Sequence, residues 1–190
     1  MNPPTTPFNE DQRDALQEIY NIAMGRAGKS LALAFATFIH LSIPQIKIID
    51  VSEITNSLIA NIGRKPNVSA VRQPFSGTLQ GESFLIFDKE DYQTLADLLE
   101  HGNELTDNAE NELLLDISNI LIGAFHSCIQ DIMSIELTAS APVLLAKSID
   151  IADLKLADAN RAAQFVMVEI VFQIDKEGTC CHLAQLMPNQ

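Results

Sequence analysis

The chain has 190 residues, 47% of them hydrophobic, and a formal net charge of −13; this is long and apolar enough to form one core without disulfide staples. The acidic balance argues against nucleic acid or an anionic membrane as a partner, because a phosphate surface repels such a chain. Three cysteines (Cys128, Cys180, Cys181) and four scattered histidines (His40, His101, His126, His182) fit neither a disulfide framework nor metal-ligand spacing, so no metal and no cofactor of the protein's own is expected.

In chain order, residues 1–10 read as a flexible lead-in without periodicity, and residues 11–190 as a single domain. The start lacks the basic and apolar regions of a signal peptide, and apolar runs are interrupted before about 18 residues. A cytoplasmic protein without membrane insertion is expected. From Asp11 the apolar positions Leu16, Ile19, Tyr20, Ala23, Ala27, Leu31, Phe35 and Phe38 recur at helical steps, predicting a long helix to about His40 that stops before Pro44. Gly25 and Gly28 within it predict close approach by another element. Gln45 to Val51 reads as a strand and Ser52 to Ile62 as a short helix. Val68 to Leu79 and Ser83 to Phe87 read as a hairpin around Gly81, and Asp88 to Glu100 as an amphipathic helix with an acidic first turn that ends at His101-Gly102-Asn103. A second long helix starts at Thr106 and continues through Ile132. Strands are predicted at Val143 to Ala146, Ala163 to Ile174 and Thr179 to Gln185, with a hairpin turn over Asp175 to Gly178.

Sliding the sequence against itself by 98 residues sets Glu18 on Asp116, Asn21 on Asn119, Ile22 on Ile120, Gly25 on Gly123 and Pro44 on Pro142 without a gap. Five such matches at one offset indicate a unit used twice, about 11–100 and about 106–190. The predicted fold is α/β (α+β): a pseudo-two-fold repeat with two long helices packed on a largely antiparallel sheet.

Residues three apart on a helix project side by side, so Glu18 with Asn21, and Asp116 with Asn119, each form an acid–amide pair. Asp14 and Glu112, one turn earlier, extend each stripe, and the apolar residues lie largely on another side. A solvated helix face is enough to account for one such pair. Repetition weakens that account, because Asn is a poor helix-interior residue whose amide competes for backbone bonds. Two structural roles stay open for each Asn: a bond to a neighbouring strand, or an Asn–Asn pair across the pseudo-axis.

These residues resemble the CheC/CheX/FliY family of chemotaxis phosphatases, whose motif runs Asp or Ser, three residues, Glu, two residues, Asn, then about twenty-two residues and Pro. The first copy matches fully as Asp14, Glu18, Asn21 and Pro44. The second, Glu112, Asp116, Asn119 and Pro142, departs at both acidic positions. The resemblance covers nearly the whole chain. It implies hydrolysis of the aspartyl phosphate on a CheY-like response-regulator receiver, with Mg²⁺ and a lysine supplied by the receiver. It gives Glu18 the role of pairing with that lysine and Asn21 that of orienting the attacking water. Asp116 is one methylene shorter than Glu, so the first site is expected to carry most of the activity.

A non-catalytic adaptor that binds a receiver or a CheD-like protein stands beside this reading, and a homodimer paired through edge strands is compatible with both. No G-x-S-x-G or Ser/Cys triad signature occurs. Gly25-Arg26-Ala27-Gly28-Lys29-Ser30 lacks Walker spacing and falls inside a predicted helix, which argues against nucleotide binding.

Overall fold

The computed structural model describes residues 10–99, 106–157, 162–174 and 178–189. The lead-in up to Asn9, the end of the helix at Glu100 to Asn103 and the turn residues Asp175 to Glu177 lie outside them. The elements are α1 (Glu10–Ala34), β1 (Ile39–Leu41), β2 (Gln45–Asp50), α2 (Ile54–Ile62), β3 (Val68–Gly77), β4 (Gly81–Asp88) and α3 (Tyr92–Leu98). They continue with α4 (Asp107–Met133), β5 (Leu137–Ala139), β6 (Val143–Ile149), β7 (Gln164–Ile174) and β8 (Thr179–Pro188).

Side-chain alternation along the strands explains the layering. On β4, Leu85 and Phe87 enter a core with α1, α3 and α4, whereas Phe84 and Ile86 enter a second core beneath α2 and the segment Ile151–Leu156. The period of two sends successive residues to opposite faces, so a strand with an unbroken apolar run is buried on both sides. The helix pair thus covers one face of the sheet, and α2 with Leu154 and Leu156 covers the other. Across that second face, Glu169 of β7 pairs with Lys47 of β2, and Asn61 Nδ2 of α2 donates to Glu169 Oε2 at 2.8 Å. Gly63 ends α2 with φ 83°, and its N–H donates to Ile59 O, a helix stop that glycine reaches without steric cost.

All paired strands are antiparallel, in the order β1-β7-β8-β4-β3-β5. Also antiparallel, β2 follows β1 along the edge of β7, and β6 lies with β5 along β3. The short strands of each half therefore pair with a long strand of the other half. Their backbone groups are satisfied only across that exchange, because a strand edge left unpaired inside a fold is costly.

α1 is shorter than its apolar pattern predicts. The helix stops at Ala34, Ala36 takes a left-handed φ of 49°, and Ile39–Leu41 instead pairs with Ile174–Phe172 of β7. Phe35 still enters the core, but Phe38 is 79% exposed. Sheet pairing provides backbone partners here that override a helical recurrence of apolar residues. α4 follows its pattern closely. Thr106 caps it by accepting from the Ala109 N–H at 3.3 Å, and Ser134 ends it in a left-handed conformation. By length and composition α4 would suffice to cross a membrane. Here its apolar stripe, including Leu113, Ile117, Leu121 and Phe125, is buried in the core.

Candidate active site

α1 and α4 pack against each other on the sheet, with the Tyr20 and Phe125 rings 5.4 Å apart. Burial of Tyr20, Ala23, Met24, Ala27 and Leu31 fixes the rotation of α1, and its opposite side is left to solvent. Asp14, Glu18 and Asn21 all lie on that exposed side. Burial of Leu113, Leu114, Ile117, Leu121 and Ile122 does the same for α4, leaving Glu112, Asp116 and Asn119 exposed.

The Asn21 and Asn119 side chains hydrogen-bond no described residue, so neither a strand contact nor an Asn–Asn pair among those residues explains them. Asp14 lies 3.8 Å from the exposed Arg13, a contact too screened to position it. Pro44 and Pro142 stand outside the helices, each as the last residue before a strand, β2 and β6 respectively. Pro44 is buried; lacking an N–H, a proline fits the start of a strand, where it removes no ladder bond.

Each stripe also holds two residues whose role the spacing did not reveal. Ile22 is 42% exposed beside Asn21, and Gly25 is exposed one turn further on; Ile120 and Gly123 occupy the matching places on α4. Gly28 meets the expectation of close approach, since a Cβ there would come within 2.7 Å of Leu41 on β1. Gly25 does not: a Cβ there would meet nothing within 4 Å. The difference follows from rotation, because residues three apart sit ~60° around the helix and only Gly28 faces the chain's own packing. Gly25 through Ser30 lie within α1, so no phosphate-cradling loop is formed.

Beneath the stripes runs a polar network that sequence spacing could not indicate, its members being 43 to 165 residues apart. Tyr20 Oη donates to Gln185 Oε1 of β8 at 2.6 Å. Gln185 Nε2 lies 3.4 Å from Ser83 Oγ of β4 and 3.3 Å from His126 Nε2 of α4, and Ser83 Oγ lies 3.1 Å from the same ring nitrogen. Burial lowers the His126 pKa to about 4 and raises that of Tyr20, so near neutral pH a neutral imidazole and a neutral phenol bind both helices to the sheet. Among the described residues, no group of three or more His, Cys, Asp or Glu side chains is placed to hold a metal.

No family model matches the chain. Among solved structures, Thermotoga maritima FliY superposes with a TM-score of 0.72 at 18% identity, over 96% of this chain and 92% of that one. This is the CheC/CheX/FliY fold. CheX from Borrelia burgdorferi, in a complex with CheY, BeF₃ and Mg²⁺, superposes with a TM-score of 0.60 at 15% identity, over 90% of this chain and 96% of that one. The FliM middle domain from H. pylori does so with a TM-score of 0.63 at 14% identity, over 95% and 94%. The CheC/CheX/FliY fold therefore occurs under differently named proteins, and the fold alone does not assign a chemistry.

Proposed function

We propose that the chain is a phosphatase for the aspartyl phosphate of a CheY-like receiver domain in chemotaxis or related two-component signalling. One observation carries the reading: a carboxylate and an asparagine amide with no described hydrogen-bond partner stand side by side, exposed, at matching places on two helices that share one core. An exposed acid–amide pair cannot assemble a hydrolytic site alone, but it can complete one in a partner. The CheX–CheY complex of the Borrelia neighbour supports a receiver as that partner class.

Asn21 carries an acceptor oxygen and a donor nitrogen on one rigid amide, so it orients a water in line with the phosphorus. The water oxygen bonds to phosphorus as the bond to the receiver's aspartate oxygen breaks, releasing inorganic phosphate and a free carboxylate. Charge on the phosphoryl oxygens is neutralised by Mg²⁺ and lysine, which belong to the receiver. Glu18 engages that lysine in a charge-assisted bond and fixes the register of the two proteins. Asp116 and Asn119 repeat the arrangement with a shorter acid, and a misplacement of ~1 Å costs about a hundredfold in rate, which ranks the second site below the first.

The test follows decay of a phosphorylated, Mg²⁺-loaded CheY-like receiver with the wild-type chain, Asn21→Ala and Asn119→Ala. The reading predicts faster decay with wild type, most of it lost in Asn21→Ala and less in Asn119→Ala. Dominance of Asn119 would reverse the ranking of the sites, whereas binding without acceleration would make the chain a receiver-binding adaptor.

A further inference from the structure

Neither backbone conformation nor packing among the described residues accounts for Gly25 and Gly123. Both lie within long helices and neither has a left-handed φ, so backbone conformation does not require glycine. A Cβ at either position would meet nothing within 4 Å, so packing does not require it either. Among residues other than proline, glycine is the least favourable in a helix interior. Gly28 of the same helix gives the contrast, with the Leu41 side chain where its Cβ would be.

Each unexplained glycine lies one turn beyond the stripe asparagine, on the same exposed side. We propose that Gly25 and Gly123 are docking residues: their missing side chains let the receiver's backbone lie directly on the helix and bring the asparagine amide within reach of the phosphoryl group. This rests on the function proposed above and adds a determinant of the encounter. An Asn amide is short, and the water it orients sits in the partner's site. The helix backbone must therefore come closer to the receiver than a face studded with side chains allows. Ile22, 42% exposed between Asn21 and Gly25, gives the contact an apolar edge against which the receiver can exclude water.

The experiment compares wild type, Gly25→Ala and Gly25→Leu in three readouts: thermal midpoint, decay rate of the phosphorylated CheY-like receivers of the host genome, and binding to the same receivers loaded with BeF₃ and Mg²⁺. Alanine and leucine are better helix formers, so the midpoint is expected to rise by about 2–4 °C. The decay rate is expected to fall about tenfold with alanine and about a hundredfold with leucine, with binding weakened in parallel. A merely structural role cannot produce a more stable protein with a poorer encounter. Wild-type rates and binding in both variants would overturn the docking role and leave the phosphatase reading standing. Wild-type chain that neither binds nor dephosphorylates any of these receivers would overturn both.

Discussion

At the scale of single residues, the asparagines stand out because they are placed against local preference. Asn21 is exposed in a helix interior with no described hydrogen-bond partner, so replacing it removes no internal interaction. Asn21→Ala is expected to leave stability unchanged or raise it by up to about 0.7 kcal/mol through helix propensity, measured by urea denaturation, while receiver dephosphorylation falls steeply. The buried His126 and the half-buried His182 behave in the opposite way. Burial lowers both His126 and His182 to about 4, the Lys65 charge adding to the effect at His182. Below the ordinary histidine pKa of about 6.5 the unfolded chain takes up protons that the folded chain refuses, so stability falls as pH drops from about 6.5 to about 4. Thermal midpoints across that range are expected to fall in wild type and to fall less steeply in His126→Gln/His182→Gln; equal slopes would remove the histidines as the cause.

At the scale of elements, the helices were easier to read than the strands. α4 was legible because its apolar period is long and Thr106 supplies a capping oxygen at the predicted start. The acid–amide stripes were legible for the same reason, since Glu18, Asn21, Asp116 and Asn119 fall off the apolar pattern. The end of α1 was not, because three residues pairing with β7 decide it and a three-residue strand has too few positions to show alternation. β5 escaped for the same reason. The Tyr20–Gln185–Ser83–His126 network was illegible in principle, because it joins four elements and no local pattern encodes a partner 165 residues away. Tyr20→Phe leaves Gln185 Oε1 buried without its donor, and chemical denaturation is expected to show a loss of about 1–3 kcal/mol. An unchanged stability would mean that the network does not hold α1 to the sheet.

At the scale of the whole molecule, the decisive feature is exchange between the halves. β1 and β2 pair on β7, and β5 and β6 pair on β3, so each half completes the other's sheet. α1 and α4 also share one core. Separate chains of residues 1–103 and 104–190 are therefore expected to lack cooperative unfolding in calorimetry and to recover it when mixed; a cooperative transition in either half alone would contradict the interdependence. This interdependence connects fold to function, because two exposed stripes on helices that share one core can present two acid–amide pairs from a single domain. The most direct test of that claim is the decay of a phosphorylated CheY-like receiver with wild type and with Asn21→Ala/Asn119→Ala. Acceleration by wild type that vanishes in a double variant as stable as the parent is the predicted result, and equal acceleration by both proteins would contradict the account.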